Sequence, residues 1–321
     1  MNGSSRIVDG HDFASISTAV KILRSGGVVS MPTETVYGLA GATLNPVAIA
    51  EVYRLKGRPA DNPLIAHVTD ASMAATVVRE GAWNDVAQQL AEAFWPGALT
   101  MVMARSETVD AVATGGRDSI AVRSPSHPVA RALLEAFGGP LSAPSANRSG
   151  GVSPTTARHV ADDFRGEDLL VLDGGGCDIG LESTVLDLRS ATPCILRPGS
   201  VSIDALRAVI GAVEMHVSIA QGDSPGTAGS HYAPEIPVCL MDDVSVAGEE
   251  DAVIRFGPSA SSGGLMNVDL GVDPDSAGQG LYDALRRCGD SGARRILVQR
   301  PPTGSAWAAI NDRLSRASAP R

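Results

Sequence analysis

Only 4% of this 321-residue chain is aromatic, it has four cysteines, and only two of its 26 basic residues are lysines. Each scarcity excludes something. Cys177, Cys194, Cys239 and Cys288 lie far apart and form no C-x-x-C pair, so neither a zinc knuckle nor a disulfide framework is expected, and free thiols in a reducing cytosol fit the pattern. No apolar run approaches the ~20 residues that a bilayer helix needs. The N-terminal MNGSSRIVDGHDF lacks a charged segment followed by an apolar stretch, so no membrane anchor and a cytoplasmic location are expected. Positive charge is also short: 36 acidic residues give a net charge of -10, which disfavours nucleic acid or anionic lipid across the surface at large. The sequence contains no G-x-x-x-x-G-K-[ST] or H-E-x-x-H motif. DGGGCDIG misses G-x-G-x-x-G because Ile179 stands where the last glycine should be.

What is present describes a globular protein: 44% hydrophobic residues, 35 Gly and 20 Pro, in a chain long enough for one large domain and a smaller one. Strand signals fall at GVVSMPT, LIAHV, LTMVMA, SIAVRS, PLSAPS, LLVLDG and STVLDL, with helical patterns between many of them, which gives an α/β class. In PVAIAEVYRLKG, Asn45 suits an N-cap, Pro46 the first helical position and Gly57 the end. The Gly/Pro/Ser-rich QGDSPGTAGSHYAPEIP reads as a linker. The expected units are therefore residues 1–212, a linker over 213–236 and a small α/β domain over 237–321. Within the latter, helices are expected at GLYDALRRCGDSG and near AWAAINDRLSRA.

The polar residues at strand ends carry the chemistry, since α/β proteins build sites there. In PTETVYGL, Thr33, Glu34, Thr35 and Tyr37 read either as a pocket floor or as a strand-to-turn transition with capping hydroxyls. In KGRPADN, a turn forced by Gly57 and Pro59 either aims Lys56 and Arg58, with Asn62, at one anion or is simply solvated. Lysine differs from arginine as a compact point charge, so one of only two lysines beside an arginine marks a candidate anion site; Lys21 lies instead in an amphipathic surface helix. His67 on an apolar strand is either a hydrogen-bonded core residue or a ligand group. Arg123, then Ser145 and Asn147 on the same side of an extended segment, Ser153, Glu182, Ser183 and Arg197 complete the set. Several cations, hydroxyls and an amide together suit a phosphate-bearing substrate in a closed cleft.

The runs PTETVYGLAGATLNPVAIAEVYRLKGRPADNPLIAHV, WPGALTMVM, SIAVRSPSHPVARALL, SAPSANRSGGVSPTTA, GLESTVLD and ILRPGS, in this order over about residues 13–212, resemble the YrdC-domain family of threonylcarbamoyl-AMP synthases. SPGTAGSHYAP and the C-terminal segments resemble the linker and small domain of its long, two-domain form. The resemblance implies a twisted open sheet with a large basic cavity and a small C-terminal Rossmann-like α/β domain. It implies conversion of L-threonine, bicarbonate and ATP into L-threonylcarbamoyl-AMP and pyrophosphate, with Mg2+ arriving on ATP and the product passing to proteins that modify tRNA beside the anticodon. Direct tRNA binding is expected to be weak or absent. Carried over by motif, Thr33, His67, Arg123, Ala143 and Ser183 match threonine-binding positions. Lys56, Arg58, Asn62, Ser145, Asn147, Ser153 and Arg197 match nucleotide positions, with Lys56 and Arg58 catalytic, and His231 with Tyr232 closing over the nucleotide. Arg123 is expected to take the threonine carboxylate as a bidentate pair. One departure stands out: TAGS precedes HYAP where the family carries a Met-Lys-Tyr-Lys/Arg run, which removes two basic groups from the linker. The rival readings are an RNA-binding module with the same cavity and another carbamoyl-handling enzyme.

Overall fold

The computed structural model describes residues 5–215, 231–257 and 263–320. The apolar runs of the first part form strands β1 (Arg6–Asp9), β2 (Val29–Met31), β3 (Gly38–Ala42), β4 (Ile65–His67), β5 (Leu99–Ala104), β6 (Ser119–Arg123), β7 (Leu141–Ser142), β8 (Leu170–Asp173), β9 (Thr184–Asp187), β10 (Cys194–Arg197) and β11 (Glu214–Met215). They make one mixed sheet in the order β1-β8-β2-β3-β7-β4-β6-β5-β9-β10-β11. Seven helices accompany it: α1 (Phe13–Arg24), α2 (Pro46–Lys56), α3 (Ala71–Ala74), α4 (Asp85–Phe94), α5 (Pro128–Phe137), α6 (Ala157–Asp163) and α7 (Ile203–Ile210). Lys21 is exposed on α1, as an amphipathic surface helix requires.

All seven strand signals correspond to strands, although that at PLSAPS ends at Ser142, two residues before Pro144, which has no N–H to give to a ladder. β3 is new. It follows PTETVY, pairs antiparallel with β2 and consists of GLAGA, too small to stand out as a hydrophobic run. Packing explains those residues: a side chain on Gly41 would meet Val52 Cγ2 at 3.0 Å and the Ala48 carbonyl at 3.1 Å, both on α2. Of the expected linker, residues 216–230, including TAGS, lie outside the described residues, and Glu214–Met215 is the last strand of the large sheet.

The C-terminal part adds β12 (Val238–Met241), β13 (Asp251–Arg255), β14 (Met266–Asp269) and β15 (Arg295–Gln299), all parallel in the order β12-β15-β13-β14, with α8 (Pro274–Gly289) and α9 (Ala308–Ala317). α8 starts six residues before the expected GLYDAL, because Asp273 caps it by accepting from the Ser276 N–H at 2.9 Å. Glycines masked that first turn, and one of them serves the interface between the units. A Cβ on Gly278 would sit 3.1 Å from Leu181 Cδ1 of the large unit. Val36, Val152 and Leu181 share one apolar cluster with Tyr282, Leu285 and Leu314, so the small unit is docked by buried surface. Among the described residues no helix is long and apolar enough to cross a membrane.

Candidate active site

Parallel pairing of β4 with β6 sets His67 opposite Arg123 at the ends of both strands, so the two side chains leave the same face. The 32–37 loop crosses there. Thr33 Oγ1 accepts from the N–H groups of Thr35 and Val36, each at 3.2 Å, and lies 2.8 Å from Thr35 Oγ1. Arg123 donates from Nη1 to Thr35 Oγ1 at 2.7 Å and from Nε to the Gly97 carbonyl at 3.2 Å. Its Nη2 lies 2.7 Å from Glu34 Oε1, without hydrogen-bond alignment. Burial alone would raise the Glu34 pKa, but the adjacent Arg123 guanidinium together with nearby backbone N–H groups outweighs it and holds the carboxyl below its usual range. Burial, reinforced by Arg123, lowers the His67 pKa to about 3, so a neutral imidazole faces the site, with Nδ1 3.1 Å from the Ile65 carbonyl. Ser183 Oγ is 2.7 Å from Thr100 Oγ1, and the Ala143 N–H donates to Ile65 O at 2.9 Å.

Most of these groups line one cavity, whose non-atom space is about 500 Å³ when the part open to solvent is included. Its wall contains Thr33, His67, Arg123, Ala143 and Ser183 from the expected threonine set, and Arg58, Ser145, Arg197, His231 and Tyr232 from the expected nucleotide set. Thr35, Val36, Gly38, Ile65, Pro144 and Glu182 complete it. Tyr37 does not take part: its hydroxyl donates to the Gly175 carbonyl at 2.7 Å and holds the loop after β8.

Lys56, Asn62, Asn147 and Ser153 stand behind the wall. Asn45, Pro46 and Gly57 cap α2 as expected, and the left-handed Gly57 (φ 64°) is what separates the two cations. Lys56 is not in the cavity wall with Arg58. Its ammonium lies 2.6 Å from Ser145 O, 3.2 Å from Ser145 Oγ, 3.0 Å from Asn147 O and 2.9 Å from Asn147 Oδ1. Ser145 and Asn147 do point the same way, and the cation they meet is Lys56. Burial, followed by the Arg58 charge, lowers the Lys56 pKa well below the ordinary lysine value. Arg58 turns instead to its own loop, donating from Nε to Asn62 O at 3.0 Å and from Nη2 to Asn62 Oδ1 at 2.5 Å and Pro63 O at 2.9 Å. Burial lowers its pKa to about 10, so it remains a cation at neutral pH. Of the Arg123 donors, Nε meets Gly97 and Nη1 meets Thr35, while Nη2 lies beside Glu34 without a hydrogen bond.

Arg197, at the end of β10, donates from Nη2 to Ser183 O at 2.9 Å and Ser183 Oγ at 3.3 Å, which ties the two sets of groups together. Beside it, Glu182 accepts from Ser153 Oγ at 2.6 Å, Tyr282 OH at 2.7 Å and Arg313 Nε at 2.8 Å. Tyr282 and Arg313 belong to the C-terminal unit. Sequence reading missed both, because an arginine in AINDRLSRA has the pattern of a solvated helix face and its partner lies 131 residues away. Tyr232 stacks on Tyr282 with ring centres 5.6 Å apart, and the Arg313 guanidinium lies 5.2 Å from the Tyr232 ring centre. The Tyr232 hydroxyl and His231 Nδ1 are buried without a hydrogen-bond partner among the described residues.

A family model described as telomere recombination, covering Sua5, YciO and YrdC proteins, matches residues 21–199. Another, described as the threonylcarbamoyl-AMP synthase C-terminal domain, matches residues 201–319. The chain is 37% identical to the threonylcarbamoyl-AMP synthase of Pyrococcus abyssi, over 94% of each protein. The chain belongs to the threonylcarbamoyl-AMP synthase family. Its Bacillus subtilis relative of that name is 35% identical, over 95% of this chain and 93% of the relative. Among solved structures, P. abyssi Sua5 complexed with L-threonine superposes with a TM-score of 0.88 at 34% identity, covering 98% of this chain and 96% of that one. Escherichia coli YciO superposes with a TM-score of 0.52 at 26% identity, covering 61% of this chain and 96% of that one. The two-domain form of the synthase family and its YrdC-like α/β fold are thus shown.

Proposed function

We propose that the cavity joins L-threonine, bicarbonate and ATP into L-threonylcarbamoyl-AMP, releasing water and pyrophosphate. The observation that carries this reading is that five threonine-set and five nucleotide-set residues line the same cavity. The threonine-bound P. abyssi structure, alike over nearly the whole chain, supports the choice of amino acid. In the first step the neutral amine of threonine forms a bond to the carbon of bicarbonate and water leaves, giving a carbamate. In the second, a carbamate oxygen attacks the α-phosphorus as its bond to the bridging oxygen of pyrophosphate breaks.

Threonine is held by Thr33, neutral His67, Arg123, Ala143 and Ser183. Either Glu34 yields Arg123 to the carboxylate, or the carboxylate takes the guanidinium from the cavity side through fewer bonds. Arg58 is the group that meets phosphate charge: its Nη1 makes no hydrogen bond among the described residues, whereas Asn62 and Pro63 fix the rest of its guanidinium. Arg197, Ser145, His231 and Tyr232 surround the same space. Lys56, Asn62, Asn147 and Ser153 serve by positioning these groups. Fixed cations aimed at developing charge supply most of the rate in such transfers, so no protein nucleophile is required.

Among the described residues no three His, Cys, Asp or Glu side chains are grouped to hold an ion, and Glu34 and Glu182 are both paired with arginine. We take Mg2+ to enter as part of the substrate, on the phosphates of ATP. The product is a mixed anhydride and needs a prompt acceptor, which places tRNA-modifying transfer proteins downstream and the enzyme in the cytoplasm. We also take residues 1–212, 213–236 and 237–321 as catalytic domain, linker and C-terminal domain. Incubation with 13C-bicarbonate, ATP and threonine should yield an adenylate that carries the label. An adenylate without the label would refute the carbamate step.

A further inference from the structure

The C-terminal domain reaches the cavity through two side chains that no motif of the catalytic domain predicts. Arg313 is fully buried on α9 and makes three contacts with the site: Nε to Glu182 Oε2 at 2.8 Å, Nη2 to the Pro198 carbonyl at 3.0 Å, and its cationic face toward the Tyr232 ring. Tyr282 on α8 donates to the same Glu182 oxygen at 2.7 Å and stacks under Tyr232. The points held are informative. Glu182 precedes Ser183, Pro198 follows Arg197, and Tyr232 is itself part of the cavity wall.

Taking the synthase reading of the cavity as its basis, we propose that Arg313 and Tyr282 are positioning residues for the reaction, acting through Glu182, Pro198 and the Tyr232 ring to place Ser183, Arg197 and Tyr232 itself. The physical argument has two parts. Geometrically, a carboxylate with three donors on two oxygens is locked, so the strand end it belongs to is locked as well. Electrostatically, Glu182 is a buried anion in the wall of a cavity that must accept phosphates, and Arg313 cancels that charge without facing the substrate. Without Arg313 the anion would repel ATP and attract Arg197 away from Ser183. This gives the C-terminal domain a task that a passive appendage would not have.

Other charges around Glu182 set how it titrates: Arg197 on β10, Arg313 on α9, Tyr282 on α8, Lys56 on α2, and His231 and Tyr232 ahead of β12. Burial would raise its pKa, but Arg313 and Arg197 outweigh burial and bring it to about 2. Removing Arg313 therefore moves the Glu182 pKa up toward the working range.

The test uses full-length enzyme whose threonine-dependent pyrophosphate release has first been established; if the wild type lacks that activity, the synthase reading itself fails. Arg313→Met should lower kcat/KM for ATP by at least about tenfold, at a temperature where the variant is folded. Its rate should also gain a fall with rising pH between 5 and 8 that the wild type lacks, as the unpaired Glu182 ionises. Arg313→Lys should recover part of the loss, and Tyr282→Phe should cost about three- to tenfold, the scale of one hydrogen bond. Asp163→Asn weakens a different ion pair across the same interface, with Arg286 at 2.7 Å, and should lower the melting temperature while leaving kcat/KM within about twofold. Should Arg313→Met not fold, the double variant Arg313→Met/Glu182→Gln leaves no unpaired charge and should still turn over slowly. Wild-type kinetics in Tyr282→Phe together with either Arg313 variant would overturn the proposal. So would losses that merely follow the melting temperature, as for Asp163→Asn.

Discussion

Arg58 and Lys56 are two residues apart in sequence, yet the left-handed turn at Gly57 gives them different work. Arg58→Ala removes a cation from the cavity wall and should lower turnover by about 10² with a small change in melting temperature, as for loss of an electrostatic stabiliser. Lys56→Met instead takes a donor from the buried carbonyl oxygens of Ser145 and Asn147, which costs about 1–3 kcal/mol for each group left unsatisfied, so stability and activity should fall together. Melting curves beside kinetics separate the two; equal melting temperatures would put Lys56 in the cavity after all. His67 gives a pH prediction. Its folded pKa of about 3 lies below the ordinary 6.5, so between these values the unfolded chain binds a proton that the folded one does not. Stability should thus be complete above pH 6.5 and fall as the pH drops toward 3, by about 1.4 kcal/mol per pH unit for this residue. His231, also at about 3, adds to the same slope. His67→Gln should flatten the fall in melting temperature over that range; an unchanged slope would mean that His67 is protonated in the folded protein.

At the scale of elements, legibility followed the size of the side chains. LTMVMA and SIAVRS declared β5 and β6 because buried β-branched and long apolar residues fill them. β3 was hidden because α2 leaves no room for a side chain on Gly41, and the start of α8 was hidden because Gly278, just after its first turn, lies against Leu181. The site followed a similar rule. Residues in local motifs, such as Thr33, Arg58 and Ser183, could be placed on the cavity, but what each one touches could not, because Gly57 geometry and Glu34 pairing are set by the folded chain. Arg313 and Tyr282 were invisible for a stronger reason: they become part of the site only when the second unit docks. Gly199 marks the tightest joint between these elements. A Cβ there would fall 2.2 Å from the Thr184 N atom and 2.4 Å from the Ser183 carbonyl carbon. Gly199→Ala should therefore push β10 from β9, part Arg197 from Ser183, and lower both melting temperature and activity, with activity lost by at least about tenfold. Unchanged kinetics in that variant would show that the Ser183–Arg197 contact is dispensable.

For the molecule as a whole, the net charge of -10 and the arginine-lined cavity are compatible because most of the charge resides on the surface, while Arg58, Arg123 and Arg197 are buried around one space. The buried carboxylates there, Glu34 and Glu182, are each paired with an arginine, and one of those arginines comes from the second domain. The second domain thus neutralises a charge in the wall of the cavity proposed to bring an amino acid and a nucleotide together. Pyrophosphate release is the measurement closest to that claim. With ATP and bicarbonate present, adding L-threonine should raise the rate well above the background, and omitting bicarbonate should return it there. Equal release with and without threonine, or no release under any of these conditions, would contradict it.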